Sequence, residues 1–281
     1  MIEAADGDEQ TKRWNGAAGQ SWAEVQGLID HIFKPFENLL VDGVKANQPA
    51  RVLDVGCGNG GTTLAMARAR GERAVCLGVD ISEPMLASAR ARAEREASTA
   101  RFLLANAQTH GFEPASFDRI VSRFGVMFFD DPVLAFQNLR RAATGDCALQ
   151  VVTWRDPNEN PFMKIAVRAA RPLLPNIPPY EPKAPGQFGL ADPQRVRQIL
   201  EKSGWADIDL RPLNIECSFP ATDLETYFTR LGPLSLVLPE ADDTTRQQVI
   251  SVVRAAFEPY VHGGEVRFTA ACWMVCARNH G

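Results

Sequence analysis

The chain has 281 residues, 45% of them hydrophobic and 23% charged, which is typical of a globular protein with an ample core. Its formal net charge of −4 argues against nucleic-acid binding, which needs a basic surface. The acidic, polar first residues are unlike a signal peptide, and no apolar run is long enough to span a membrane, so we expect a cytoplasmic protein.

The first predicted element is an N-terminal helical arm over residues 1–45. Within SWAEVQGLIDHIFKPFENLLVDGV the apolar residues recur at helical spacing, from Trp22 to Leu40. Pro35 lies inside this pattern, and because proline has no backbone N–H, we expect it to break the helix.

Between residues 46 and 154, short apolar runs alternate with helical segments. The runs RVLDV, AVCLGVD, ARFLLAN, FDRIVSR and CALQVVTW are predicted strands, and segments such as EPMLASARARAEREA are predicted helices. Strands that alternate with helices form βαβ units, which build a parallel sheet with helices on both faces. We therefore predict a Rossmann-like α/β core in this range.

The alternation stops after residue 154. Residues 155–190 are rich in proline and form a predicted substrate lid. Residues 191–281 return to the sheet, with Asp192 as the predicted N-cap of a helix. A helical insertion is expected at about 222–262, and the run VRFTAACWMVCAR is the predicted last strand.

A glycine-rich turn, GCGNGG, follows the first predicted strand. In an open α/β sheet, ligands bind beyond the carboxyl ends of the strands, so this turn is a candidate binding site. However, Asp54 precedes the turn and would face the mouth of that site. Two unit charges at close range interact by ~4 kcal/mol at an effective dielectric of ~20, so a pyrophosphate would be repelled there. A cationic adenosine compound without phosphate, such as S-adenosylmethionine, fits this acid better.

The ends of the next two predicted strands supply a second group of polar residues. Asp80 can accept hydrogen bonds from both ribose hydroxyls, although Asp80 could instead cap the following helix, a role for which Ser82 is better suited. Asn106 can accept from an adenine amino group, with Ala107 and Gln108 offering backbone contacts. The side chains of Ile81, Met85, Phe124 and Met127 would either sandwich adenine or belong to the ordinary core.

Four stretches together resemble a known family: VLDVGCGNGGTT, GVDIS, NAQTHGFEPASFDRIVSRFGVMFFDDP and the leading WNGAAGQSW. They resemble the class I S-adenosylmethionine-dependent methyltransferases, in particular the type 11 group related to the ubiquinone and menaquinone biosynthesis methyltransferases. The resemblance implies a seven-stranded, mostly parallel sheet whose last strand is antiparallel, with an N-terminal helical arm and helical lid insertions. It also implies S-adenosylmethionine as cofactor and S-adenosylhomocysteine as product.

The resemblance also assigns roles to individual residues of this chain. The methionine end of the cofactor would be lined by Asp54, Gly56, Cys57, Gly58 and Gly60, while Asp80 would hold the ribose. Arg123 and Phe124 would close over the cofactor from the substrate side, and Trp14 and Trp22 of the arm would approach it from above. The family usually has an acid where Asn106 stands, so cofactor affinity would differ somewhat.

The expected reaction is an in-line methyl transfer to an oxygen, nitrogen or carbon of a small molecule. If a proton acceptor is needed, the candidates are His31, His110 and His262, with Tyr180 as a hydrogen-bonding alternative. We favour His31 because the arm should fold over the cofactor. His280, almost at the end of the chain, is expected to be inert.

The acceptor pocket is expected to be apolar or aromatic. Its candidate lining comes from the core and both lid segments: Met127, Trp154, Phe162, Tyr180, Phe188, Tyr227 and Phe228. These residues could equally pack a core of the insertion itself.

Two other classes of function remain open: a nicotinamide-dependent oxidoreductase and a non-catalytic protein that binds S-adenosylmethionine. The six scattered cysteines favour free, buried thiols in a reducing compartment over disulfides or a metal site. No sequence pattern indicates an oligomeric state.

Overall fold

One mixed β-sheet organises the chain, as a computed structural model shows for residues 7–48, 50–178 and 185–281. Within these ranges the sheet has eight strands in the order β3-β2-β1-β4-β5-β8-β6, with β7 paired to β8. The strands are β1 (Arg51–Val55), β2 (Val75–Asp80), β3 (Arg101–Leu104), β4 (Phe117–Arg123), β5 (Ala143–Trp154), β6 (Ala206–Pro220), β7 (Val261–His262) and β8 (Glu265–Arg278).

Helices alternate with the strands through the first half of the chain and then form the segments beyond β5. They are α1 (Gly7–Asn15), α2 (Ala17–Glu24), α3 (Gln26–Asn47), α4 (Gly61–Arg70), α5 (Glu83–Arg95), α6 (Pro132–Ala142), α7 (Phe162–Ala170), α8 (Pro193–Lys202), α9 (Leu224–Arg230), α10 (Leu234–Val237) and α11 (Asp243–Phe257). Within the described ranges, no helix combines the length and apolarity needed to cross a membrane.

The fold class predicted from the sequence is confirmed, but the sheet has an eighth strand. β8 lies antiparallel between β5 and β6, as expected for the last strand of such a sheet. The additional strand is the two-residue β7, which pairs with β8 in the register His262 to Glu265. Gly263 and Gly264 join them with φ angles of 60° and 85°. A two-residue turn with positive φ at both positions suits a β-hairpin, so the HGGE sequence explains this strand.

The strand order reverses at β1, which pairs with β2 on one side and β4 on the other. The turns after β1 and β4 touch there, backbone against backbone. A Cβ added to Gly56 would lie 2.5 Å from the Cα of Gly125, and one added to Gly125 would lie 2.5 Å from the carbonyl oxygen of Val55. The carboxyl edge of the sheet is therefore shaped by two glycines in direct contact.

The predicted helix break at Pro35 is wrong, because α3 continues through this residue to Asn47. The N–H that proline lacks removes one helical hydrogen bond, but Ile32, Phe36 and Leu40 are fully buried on either side and hold the helix on the sheet. The chain instead bends at Val25, between α2 and α3.

The arm formed by α1 and α2 is fastened to the loops at the carboxyl edge. Asn15 Nδ2 donates to the carbonyl oxygen of Ile81 at 2.8 Å, and its Oδ1 accepts from the N–H of Glu83 at 2.9 Å. Ser82 Oγ donates to the carbonyl oxygen of Trp14 at 2.6 Å, and Asn59 Nδ2 donates to that of Trp22 at 2.8 Å.

The arm also touches the helical segment beyond β6. Ser21 Oγ donates to the carbonyl oxygen of Arg230 at 2.7 Å, and the Arg230 guanidinium lies 3.2 Å from the Glu24 carboxylate. The arm therefore connects the turns after β1 and β2 with the α9 end of the helical insertion.

We predict that Gly125→Ala lowers the free energy of unfolding by about 2 kcal/mol, because its methyl group would collide with the backbone of the turn after β1. The measurement is urea denaturation followed by far-UV circular dichroism. Gly145→Ala is the control, since no atom lies within 4 Å of its added methyl group. Equal stability of the two variants would show that the glycine contact is not required.

We predict that Asn15→Ala loosens the arm without unfolding the sheet, because both of its side-chain hydrogen bonds to the loop after β2 are lost. Hydrogen exchange measured by mass spectrometry should be faster in peptides covering residues 14–24 and unchanged in β1 and β4. Gln20→Ala, at an exposed position of α2, serves as the control. Unchanged exchange in the arm of Asn15→Ala would contradict this account of its attachment.

Candidate active site

The glycine turn after β1 fills the space between the sheet and α4. Gly56, Gly58 and Gly60 have φ angles of 67°, 53° and 78°, which other residues rarely adopt. Gly60 packs against Phe102, and the Cys57 side chain is buried against β2. A Cβ at Gly58 would meet only the sulfur of Met85, at 3.6 Å, so Gly58 has the most open surroundings of the predicted turn residues.

Asp80, at the carboxyl end of β2, holds this turn in place. One carboxylate oxygen accepts from the N–H of Gly58 at 2.8 Å, and the other accepts from the N–H of Ser82 at 2.9 Å. Ser82 also caps α5. Asp80 is 9% exposed, and burial raises the pKa of its carboxyl group. Because a carboxylate has about four lone-pair positions, two remain for a ligand hydroxyl pair.

Asp54 lies beneath the turn rather than at its mouth, where the sequence had placed it. The reason is its position one residue before the end of β1, paired with Gly78 and Val121 of the neighbouring strands. Asp54 is 1% exposed, and its Oδ2 accepts from Thr63 Oγ1 at 2.6 Å. Its Oδ1 is buried and has no hydrogen-bond partner among the described residues. Burial raises the pKa of Asp54 to about 6.

Other buried polar atoms near the turn also lack partners among the described residues. They are Oδ1 of Asn59 and Oγ1 of Thr62 on the turn and the start of α4, and Nη1 of Arg123 at the end of β4. Most buried polar atoms in folded proteins are hydrogen-bonded, so a group of unpartnered ones at one edge of the sheet indicates a place for a polar ligand.

The loops after β2 and β3 provide the other predicted contacts. Asn106 Oδ1 accepts from the N–H of Gln108 at 2.9 Å, which leaves one acceptor position on that oxygen. Gln108 Oε1 accepts from the N–H of Asp131, and Ala107 is buried. Ile81 is half-buried at the end of β2. Met85 lies against Gly58, as expected for a residue beside the turn.

Trp14 and Trp22 lie in the arm and contact each other edge to face, with ring centroids 5.7 Å apart. Trp14 also meets Phe128, just after β4, at 5.3 Å. Together with the hydrogen bonds to Ser82 and Asn59, these contacts connect the arm to the turns after β1, β2 and β4.

The four histidines lie in different parts of the structure. His31 is exposed, because it lies about 200° around α3 from the buried Ile29, on the face away from the sheet. The structure therefore does not bring His31 to the strand ends. His110 packs on Phe112, His262 is exposed in β7, and His280 lies 2.9 Å from the Asp207 carboxylate.

Aromatic rings cover the carboxyl ends of β4 and β5. Phe124 stacks on Trp154 with centroids 4.4 Å apart, and Trp154 contacts Phe162 of α7. Phe124 has a φ of 66°, a strained backbone for a bulky residue, of the kind found at functional sites. Phe33 of α3 lies 5.2 Å from the Phe124 ring. Phe33 was not among the predicted site residues, although its spacing from Phe36 in the sequence is typical of one face of a helix.

The remaining lining candidates lie in separate places. Met127 is buried just after β4, Phe188 is half-buried, and Phe228 is buried in α9. Tyr227 stacks on Phe219 at 4.8 Å and contacts Phe257, within the packing of the insertion. Tyr180 lies outside the described residues.

All six cysteines are free thiols, five of them buried. Within the described ranges, no group of three or more His, Cys, Asp or Glu side chains is arranged to hold a metal ion.

Comparison with known proteins agrees with this geometry. Residues 52–145, a third of the chain, match the family model of a methyltransferase domain. An uncharacterised protein of Mycobacterium tuberculosis is 28% identical over 179 residues, which cover 63% of this chain and 64% of that protein. The chain therefore spans slightly less than two thirds of the length of this relative.

Two relatives have named activities. Aklanonic acid methyltransferase DauC of a Streptomyces species is 32% identical over 43% of this chain and 56% of its own length. Demethylmenaquinone methyltransferase of Thermus thermophilus is 34% identical over 43% of this chain and 55% of its own length.

Solved structures show the same fold at low identity. The YcgJ protein from Bacillus subtilis has a TM-score of 0.57 at 18% identity, covering 87% of this chain and 98% of that one. The [4+2]-cyclase SpnF has a TM-score of 0.52 at 16% identity, covering 86% and 80%. Residues 52–145 therefore match a methyltransferase domain, and the solved structures share the fold of this chain.

Proposed function

We propose that the protein transfers a methyl group from S-adenosylmethionine to a small apolar or aromatic acceptor. The observation that carries this proposal is the pair of buried carboxylates, Asp54 and Asp80, at the carboxyl ends of adjacent strands. The negative charge of an ionised carboxylate attracts a cationic ligand and repels a pyrophosphate, and this interaction is stronger away from water. The comparisons give no support to the nicotinamide-dependent alternative.

The residues present fit this cofactor. The outward lone pairs of Asp80 suit the two ribose hydroxyls, and the open backbone at Gly58 allows close approach. The unpartnered Oδ1 of Asp54 suits an ammonium group, reached directly or through water. Met85, Ile81 and the loop from Asn106 to Gln108 would bound the adenine.

The chemistry comes from the cofactor, whose sulfonium-bound methyl group is displaced in line by the acceptor. The protein orients the two reactants and excludes water. The arm, with Trp14 and Trp22, would cover the cofactor, and the rings of Phe124, Trp154 and Phe162 would hold the acceptor. A histidine base is not part of this proposal, because His31 faces away from the sheet.

The proposal assigns a role to each part of the chain. Residues 1–45 would form the N-terminal helical region, of which α1 and α2 cover the cofactor, 46–154 the cofactor-binding core and 155–190 the substrate lid. Residues 191–281 would complete the sheet, with the insertion at about 222–262. The net charge and the free thiols support a cytoplasmic enzyme that does not bind nucleic acid.

Two relatives support a small-molecule acceptor, since their names specify aklanonic acid and demethylmenaquinone. The shared fold of the cyclase SpnF shows that the fold by itself does not establish methyl transfer. Incubation with S-adenosylmethionine carrying a labelled methyl group and a panel of aromatic acceptors is the decisive assay. Cofactor binding without transfer to any acceptor would favour the non-catalytic alternative.

We predict that Asp80→Asn weakens S-adenosylhomocysteine binding at least tenfold, or about 1.4 kcal/mol, because the ribose loses a charged acceptor and the turn loses its anchor at Gly58. Titration calorimetry measures the affinity. The control is Asp146→Asn, an exposed carboxylate at the start of β5. If Asp80→Asn and the wild type bind equally, the assignment of the ribose site is wrong.

We predict that S-adenosylhomocysteine affinity falls between pH 7 and pH 5. Below a pKa of about 6 the Asp54 carboxyl is protonated in the free protein, and binding an ammonium group beside it must first release that proton. The loss approaches ~10-fold per pH unit. Calorimetry at pH 5.5 in two buffers of different ionisation enthalpy measures the released proton.

The matched control for this pH effect is Asp54→Asn, which cannot release the proton. Its affinity should be weaker at pH 7 and should change less between pH 7 and pH 5 than that of the wild type. Equal pH dependence in both proteins would remove Asp54 from the binding site.

A further inference from the structure

Arg123 ends β4 on the face of the sheet that α3 covers. Its guanidinium lies over the ring of Phe33, 5.7 Å from the ring centroid. Its Nη1 is buried and has no hydrogen-bond partner among the described residues. Burying a charged donor without a partner is unfavourable, so this atom requires an explanation.

Two arginines that are buried more deeply than Arg123 have hydrogen-bond partners for their guanidinium groups. Arg92 donates to the carbonyl oxygen of Asn59 and to Asp30, both at 2.7 Å. Arg119, on the same strand as Arg123, donates to Gln150 at 3.2 Å and to the carbonyl oxygen of Gly43 at 3.3 Å. Arg70, Arg140 and Arg155 also keep a buried Nε without a partner among the described residues, so an unpaired guanidinium nitrogen is not unique to Arg123. Arg123 differs from Arg92 and Arg119 in that its unpaired nitrogen lies at the end of β4, beside the candidate site.

Asp54 is not the hydrogen-bond partner of the Arg123 guanidinium. The positive charge of Arg123 acts on Asp54 and lowers the pKa of that carboxyl group, against the larger effect of burial. However, the hydrogen bond of Asp54 goes to Thr63. Two buried groups of opposite charge, Asp54 Oδ1 and Arg123 Nη1, thus each keep an atom without a partner at the carboxyl edge.

The methionine end of the cofactor carries an ammonium and a carboxylate group, and an anionic acceptor would supply a second negative group. The cofactor brings positive charge to the Asp54 side. Arg123 would repel the sulfonium unless a negative group lay between them. The rings beside Arg123, namely Phe33, Phe124 and Trp154, favour an aromatic or apolar body for the molecule that carries this negative group.

We propose that Arg123 binds the acceptor oxyanion, so that the methyl acceptor is an aromatic or apolar molecule with a carboxylate or an acidic hydroxyl group. This inference rests on the proposed methyl transfer. A lone pair of the oxyanion forms the new O–CH₃ bond, and the C–S bond breaks with its electrons going to sulfur. The positive charge of the sulfonium and the negative charge of the acceptor cancel, and no proton is transferred to the protein.

An anionic acceptor also removes the need for a basic side chain at the strand ends. An acceptor that binds as an anion needs no histidine at the strand ends, and a guanidinium beside an acidic hydroxyl favours its ionised form. The result is a site selective for O-methylation.

The test compares 2-naphthoate with its neutral analogue 2-naphthamide, titrated into the full chain saturated with S-adenosylhomocysteine. We expect the wild type to bind naphthoate at least tenfold more tightly than naphthamide. In Arg123→Gln this preference should fall below twofold, with naphthamide affinity retained. Arg123→Lys, which keeps the charge, should restore part of the preference.

Arg168→Gln, at an exposed position of α7, is the matched control and should keep the full preference. In Arg123→Gln the loss of naphthoate affinity should exceed any loss of S-adenosylhomocysteine affinity. A tenfold loss of that affinity with an unchanged naphthoate preference would place Arg123 on the cofactor and overturn the inference.

The wild-type comparison needs no variant, so it stands even if Arg123→Gln does not fold. If the wild type binds S-adenosylhomocysteine but does not prefer naphthoate, the inference is wrong and the proposed methyl transfer is unaffected. If S-adenosylhomocysteine does not bind at all, the proposed function itself fails.

Discussion

The carboxylate of Asp80 is the interaction on which the candidate site depends. By accepting from the N–H groups of Gly58 and Ser82, it joins the turn after β1 to the start of α5. Ser82 in turn holds the arm through the carbonyl oxygen of Trp14. One buried side chain thus sets the positions of the glycine turn, a helix N-terminus and the covering arm. Burying the charged carboxylate of Asp80 away from water costs free energy. A ligand that donates a hydrogen bond to this carboxylate offsets part of that cost.

The charges around this centre are separated along the strand order. Asp54 and Asp80 lie on β1 and β2, whereas Arg123 lies at the end of β4, next to the aromatic rings of β5 and α7. Because the turns after β1 and β4 meet at Gly56 and Gly125, the two regions are close but distinct. This arrangement suits a cationic cofactor on one side and an anionic, aromatic acceptor on the other.

Local signals in the sequence predicted most of the fold, including the βαβ alternation and the caps at Ser82 and Asp192. The errors arose where tertiary packing decides the outcome. The depth of Asp54 depends on strand register, and the contact of Gly125 joins residues far apart in the chain. The exposure of His31 could have been found, because it lies opposite the apolar stripe of α3.

The central claim is that the candidate site at the ends of β1 and β2 accepts an adenosine compound with positive charge and no phosphate. Titration calorimetry at pH 7.5 with S-adenosylmethionine and with reduced nicotinamide adenine dinucleotide tests it most directly, since both ligands carry adenosine, the first has a net positive charge, and only the second carries a pyrophosphate. The account predicts saturable binding of the first and at least a hundredfold weaker binding of the second. Equal or tighter binding of the dinucleotide would contradict it.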